Sequence, residues 1–129
     1  MNQSESVEMY LETVYLLEES HGHAHSVEIA KQLGVSKPSV SKAMKQLKNM
    51  GLIHKEAYGT INLTDKGREL SKKIYEQHQL ITKFLMHSLD LGIDEANKNA
   101  CKIEHVISDD MLESIKRYIL KHESDLSVD

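Results

Sequence analysis

The sequence predicts a mainly α-helical fold, and three observations carry that expectation. One proline and six glycines in 129 residues are too few turn-formers for a sandwich or barrel. Apolar residues recur at 3–4 spacing through several long segments. With 40% hydrophobic and 28% charged residues, the chain can bury a core and is not a disordered segment. At ~100–200 residues per domain, this length allows one compact unit or two small ones and excludes a large multi-domain enzyme. A single cysteine excludes a disulfide framework and a multi-cysteine zinc module. The chain has no apolar run of ~18 residues, and the acidic start Met1-Asn2-Gln3-Ser4-Glu5 is no signal peptide. A cytoplasmic protein without membrane contact is therefore expected.

The first helix is expected over residues 6–19, where Val7, Tyr10, Leu11, Val14 and Leu17 form one apolar stripe. Ser20 to His25 reads as a linker. Ser26 can cap a helix from Val27 to Leu33, and Gly34 can end it. After the turn Val35-Ser36-Lys37, Pro38 sits in the first turn of a third helix that runs to about Met50 and is closed by Gly51. Leu52–Glu56 and Thr60–Leu63 read as short strands of a hairpin around Ala57-Tyr58-Gly59. Thr64 caps a long helix over about 65–88, followed by a break from Leu89 to Ile93. Asp94 is placed as the cap of a helix over about 95–107, and Ser108 as the cap of a last helix over about 109–121. The tail from Ser124 is expected to fray.

Net charge is −4, yet its distribution is uneven. Residues 1–30 carry six acids and no Lys or Arg. Residues 31–55 carry six lysines and no acid, a local +6 that suits a polyanion partner. From residue 84 onward ten acids face five bases. The order of elements over 26–63, helix, turn, helix and hairpin, is a winged helix-turn-helix. Val27, Ile29, Ala30, Leu33, Val35, Val40, Ala43, Met44 and Leu47 are its expected core. Ser36, Lys37, Ser39, Ser41, Lys42 and Lys45 remain on the outer face of the second of these helices. Lysines and backbone N–H groups there would hold phosphates, and Ser or Lys would reach base edges of double-stranded DNA. Lys55 and Tyr58 on the hairpin would touch a neighbouring phosphate or the minor groove. A protein-docking winged helix is the competing reading, and the acid-free lysine block tells against it.

Cys101, Glu104 and His105 fall at i, i+3 and i+4, opposite Ile103, Val106 and Ile107. Thiolate, carboxylate and imidazole on one face are ligands for a first-row metal, or else a buried Cys beside a solvated Glu–His pair. Met9 and Glu12 share a face of the first helix away from its stripe, so Met9 is a thioether ligand or packs on a neighbour. His78 lies inside the stripe Ile74, Ile81, Leu85, as a satisfied core residue or a ligand. The trio His21, His23, His25 has the composition of a metal tract, but its place in a linker favours solvated side chains.

Glu8-Met9-Tyr10-Leu11, the winged module, Gln77-His78 and the run Cys101-Lys102-Ile103-Glu104-His105-Val106-Ile107-Ser108-Asp109 together resemble the diphtheria-toxin-repressor family. These are metal-dependent transcriptional repressors, including iron-dependent repressors and shorter manganese transport regulators. The resemblance runs from about residue 6 to 121. It implies a winged DNA-binding domain over 1–64 and a helical metal-binding and dimerisation domain over 65–129, acting as a homodimer on operator DNA. It implies Met9, Cys101, Glu104 and His105 as the working site of the iron type. His78 matches a histidine of the iron type's ancillary site and of the manganese cluster, and Glu12 matches a manganese-type ligand. Thr82 and Asn97 stand where the remaining ancillary ligands would be. Ser36, Pro38, Ser39 and Lys42 match DNA-contacting positions. The chain ends before the SH3-like domain of longer members, so a short architecture is expected.

Met and Cys are softer than the carboxylates a manganese site prefers, which favours Fe²⁺, while Glu12 and His78 keep Mn²⁺ open. Co²⁺, Ni²⁺ and Zn²⁺ should substitute in vitro, because affinity follows the Irving–Williams order. The expectation is a non-enzymatic, metal-activated repressor of metal-uptake or homeostasis genes with no small-molecule substrate. A metal-independent winged-helix regulator is the alternative. A metalloenzyme is less favoured, for the sequence offers no readable nucleophile–base pair or lid.

Overall fold

The computed structural model describes residues 3–56 and 59–122. Ala57, Tyr58 and the tail lie outside the described residues, and with them the expected hairpin contact of Tyr58 and the expected fraying. Among the described residues nine elements follow one another: α1 (Gln3–His21), β1 (Ala24–His25), α2 (Ser26–Leu33), α3 (Lys37–Asn49), β2 (Ile53–Lys55), β3 (Thr60–Leu63), α4 (Asp65–Leu89), α5 (Ile93–Ile103) and α6 (Asp109–Lys121). They form two compact units, residues 1–73 and 74–129, with the division inside α4. Among the described residues no helix is long and apolar enough to cross a membrane.

In the first unit the predicted stripe of α1 is buried throughout, with Leu11 and Val14 fully enclosed. α1 packs on α2, α3 and β3. Ile29, Val40, Met44 and Leu47 supply the centre of the helix-turn-helix core. Val27, expected in that core, is 59% exposed instead. The physical reason is helix phase: Ile29 and the half-buried Ala30 and Leu33 define the inward face, and Val27 lies off it. Gly34 adopts the left-handed conformation, φ 65°, and its N–H reaches back to the Ala30 carbonyl, which ends α2. Ser36 caps α3 by accepting from the Ser39 N–H at 3.2 Å.

The stretch expected as a linker contributes a strand. β1 pairs antiparallel with β3, Ala24 opposite Ile61 and His25 opposite Thr60, so the wing is a three-stranded sheet in the order β1-β3-β2. Ala24 is completely buried, and it is the one residue of the histidine-rich stretch that anchors the strand. His25, not Ser26, is the N-cap of α2, and its backbone N–H donates to Glu28 Oε1 at 3.1 Å. On the far side, β2 and β3 pair with Ile53 opposite Leu63, and both side chains face the core.

The junction from wing to α4 is fixed by several polar contacts. Thr64 Oγ1 accepts from the Gly67 N–H at 3.0 Å and donates to the Gly51 carbonyl at 2.7 Å. Glu18 of α1 accepts from the Leu63 N–H at 2.8 Å and pairs with Arg68. The hydrogen bond that Arg68 donates to Glu18, then the charge of that carboxylate, holds the Arg68 guanidinium above its ordinary pKa. Gly67 itself is required by close approach. A Cβ there would stand 2.0 Å from the Leu52 carbonyl oxygen.

The second unit is a helical cluster of Ile81, Leu85, Ala96, Ala100, Leu112, Ile115 and Ile119. Fully buried Ala96 and Ala100, one turn apart on α5, let its backbone come close to its neighbours. α4 ends where Asp90 takes a left-handed φ of 57°, a conformation Asp tolerates better than most residues. Gly92 rather than Asp94 is the N-cap of α5, which leaves Asp94 and Glu95 in the first turn, where acids suit the helix dipole. Ser108 caps α6 as expected, accepting from the Met111 N–H at 3.1 Å.

Gly67→Ala should destabilise the first unit by about 1–3 kcal/mol, the cost of forced overpacking. Urea unfolding followed by circular dichroism would show this as a lowered midpoint. An unchanged midpoint would contradict the close approach.

Candidate metal centre and nucleic-acid interface

Helix phase decides what α5 does with its ligand-type residues. Ala96 and Ala100 form an inward i, i+4 row, and Glu104 is its next member. α5 ends at Ile103, short of the expected 107, but the Glu104 N–H still bonds the Ala100 carbonyl at 2.9 Å. Glu104 therefore continues inward and its side chain is fully enclosed, 0% exposed. Cys101, one step round the helix from Ala100, is exposed. The competing reading, a buried Cys beside a solvated Glu–His pair, does not describe this arrangement. Val106, expected beside Ile103 and Ile107, is 61% exposed because the chain leaves the helix there. Ile103 and Ile107 do pack on the core.

The buried carboxylate sits between two imidazoles. His78 Nδ1 of α4 is 3.1 Å from Glu104 Oε2, and His105 Nε2 is 3.2 Å from Glu104 Oε1. His105's side chain is only 4% exposed and that of His78 16%. His78 follows Ile74 by one turn on the buried stripe of α4, as the periodicity predicts. Its other nitrogen, Nε2, lies 2.8 Å from Asn97 Oδ1. With Asn97 as acceptor, Nε2 carries a proton, and Nδ1 meets the carboxylate either as a lone pair or as the second N–H of an imidazolium. In the first case two metal donors converge, an arrangement that a cation resolves. Carboxylate and imidazole together fit a divalent first-row ion. Asn97 has the part of an orienting neighbour that metal-ligating histidines usually have. Sequence reasoning saw in it only a missing ligand, though its i, i+4 offset from Cys101 placed it next to the ligand set. Tyr75 lies parallel to the His78 ring, 6.3 Å between centroids, and further limits its orientation.

In the first unit, α1 places Glu12 and Thr13 beside its apolar stripe. Glu12 is 9% exposed, burial that the stripe did not predict, and Met9 is half-buried. The lysine face is where expected. Ser36, Lys37, Pro38, Ser39, Ser41, Lys42 and Lys45 are all exposed on the start and outer side of α3, and Lys55 is exposed on β2. Ser36 and Ser39 also bond each other through their hydroxyls at 2.9 Å. Both thus order the helix N-terminus that would face a phosphate.

Residues 2–61 match the family model of the iron dependent repressor, N-terminal DNA binding domain, and residues 64–127 that of the iron dependent repressor, metal binding and dimerisation domain. The chain belongs to the iron-dependent repressor family. An uncharacterized HTH-type transcriptional regulator of Methanocaldococcus jannaschii is 39% identical over 119 residues, 92% of this chain and 95% of its own length. The transcriptional regulator MntR of Escherichia coli is 33% identical over 118 residues, covering 92% of this chain and 76% of MntR. The structure of the manganese regulator SloR is similar with a TM-score of 0.76 at 32% identity, over 93% of this chain and 55% of that chain. This chain thus spans about half of the solved SloR chain. Iron-dependent repressors and manganese regulators are both metal-dependent transcriptional regulators, and the buried Glu104 lies in the domain matched as metal-binding.

In metal-free protein, Glu104→Ala should cost about 1–3 kcal/mol, because two largely buried imidazoles lose their shared acceptor. Chemical unfolding with a chelator present measures it. Equal stability of variant and parent would mean that the carboxylate contributes nothing to the apo fold.

Proposed function

We propose that this chain is a metal-activated repressor whose homodimer binds operator DNA in the cytoplasm and controls metal-uptake or homeostasis genes. The observation that carries the reading is the enclosed Glu104 carboxylate between His78 and His105. Met9 and Glu12 on α1, with His78, Cys101, Glu104 and His105, are the proposed ligands. When bound, the ion would supply the positive charge that the enclosed Glu104 carboxylate calls for.

The chain's own residues give such binding a consequence. α1 packs on α3, so whatever fixes α1 fixes the lysine-bearing helix. Lys42 and Lys45 hold phosphates, while Ser36 and Ser39 present hydroxyls and backbone N–H groups at the helix start. In the second unit Leu89, Ile93, Val106, Met111 and Leu120 are 50–69% exposed, an apolar surface that suits burial against a second copy. Asn97 holds His78 in the tautomer that directs Nδ1 at the ion. Fe²⁺ is favoured by the soft donors Met9 and Cys101. Mn²⁺ is the second reading, favoured by the approach of His78 to Glu104 at 3.1 Å, which makes nitrogen and oxygen donors the best-ordered part of the site.

The test is DNA binding at fixed salt, on a duplex enriched from genomic fragments, titrated anaerobically with Fe²⁺ and with Mn²⁺. Oxygen would oxidise exposed Cys101 and mask an iron response. The activating metal should tighten binding by about 5–150-fold, a coupling of ~1–3 kcal/mol. Glu104→Gln and Cys101→Ala should each remove most of that gain. Metal-independent binding by all three proteins would leave a winged-helix regulator of another kind. Separately, Lys42→Ala should lower the slope of log affinity against log salt by about 0.9, one phosphate contact. An unchanged slope would take Lys42 off the DNA.

A further inference from the structure

A second cluster of metal-ligand side chains stands in the first unit, apart from every ligand named above. His21 ends α1, His23 precedes β1, and His25 lies in β1 as the cap of α2. His23 lies in the bend before β1 and His25 in β1, on either side of the completely buried Ala24. Their rings stand edge to face, with centroids 4.8 Å apart. Two imidazoles that ligate one tetrahedral ion at ~2.0–2.1 Å have centroids roughly 5 Å apart, so this pair is already at chelating separation. Glu28 is anchored beside them. Its Oε1 accepts from the His25 backbone N–H at 3.1 Å, and its Oε2 lies 3.9 Å from His21 Nε2. The carboxylate therefore stands between the His25 backbone and the third imidazole, and the His21 side chain is 56% exposed.

We propose that His23 and His25, completed by His21 and Glu28, form a second divalent-metal site on the DNA-binding unit, selective for a late first-row ion of the Zn²⁺ class. Three imidazoles and one carboxylate are the borderline donors that suit Zn²⁺, Ni²⁺ or Cu²⁺ and hold Mn²⁺ poorly. The location gives the site a consequence. β1 is two residues long and is the third strand of the wing sheet through His25 opposite Thr60. An ion held by His21, His23, His25 and Glu28 would fasten the end of α1, β1 and the start of α2 to one another, and β1 is the strand by which they join the wing sheet. The winged module then becomes stiffer in a metal that the site around Glu104 does not need to bind.

The full-length chain carrying Cys101→Ser and Glu104→Gln provides the background, since it lacks donors of the other site. Isothermal titration with Zn²⁺ at neutral pH should show about one ion bound in this background, lost when His23→Asn and His25→Asn are added. Asn is a good N-cap, so the variant at position 25 keeps the start of α2. Unchanged Zn²⁺ stoichiometry in the added double variant overturns the proposal. A second readout needs no substitution. In ¹⁵N-histidine spectra of the parent protein, Zn²⁺ should shift the ring signals of His23 and His25. Shifts confined to His78 and His105, or to His54, His87 and His122, also overturn it. Because the background variant removes the Glu104 site, failure here leaves the proposed function standing, and failure of that function leaves this site standing.

Discussion

The constraint on which the second unit depends is a carboxylate shut away from water. An ionised Glu104 in such a place must be matched by positive charge or by donors, because an isolated buried charge costs several kcal/mol even after relaxation. His78 and His105 stand within reach of it. They can meet the charge as imidazolium, or they can turn nitrogen lone pairs toward the same space and leave the charge to a cation. Both solutions use one set of atoms. On the proposed reading, such a site changes with metal supply rather than holding one fixed pattern of hydrogen bonds.

The first unit is organised so that such a change matters. Its lysine block lies on a helix whose position is set by α1, through Leu11, Val14 and their neighbours. Glu18 adds a polar tie from α1 to the end of the wing and to Arg68. α1, the wing and the lysine-bearing helix are therefore tied to one another. On the proposed reading, ligands at Met9 and Glu12 make these elements responsive to a cation. The ion shifts the balance of poses only by as much as it prefers one of them.

Much of this was legible in the sequence because periodicity is a strong signal for long amphipathic helices. The α1 stripe, the Ser36 and Ser108 caps, Thr64 at the head of α4 and the exposed lysine face all follow from local chemistry. The misses have physical reasons as well. β1 is a strand because Ala24 is buried and β3 offers an edge, and neither fact is visible in a run of histidines. Val27 and Val106 are apolar yet exposed, since helix phase and helix end outrank residue type. Grouping Cys101, Glu104 and His105 on one face missed their unequal burial, with Glu104 enclosed and Cys101 exposed. The small pair Ala96 and Ala100 marked the inward row that Glu104 extends, and it was the clue to read. The role of Asn97 needed coordinates, because it depends on a residue of another helix.

Linkage offers the most direct measurement of the central claim, that metal and DNA report on the same pose. The affinity of the activating ion should be measured for the free protein and for the protein saturated with its duplex, at one salt concentration and without oxygen. The account predicts that DNA tightens metal binding by the same factor by which metal tightens DNA binding, as reciprocity demands. Identical metal affinity with and without DNA would contradict it.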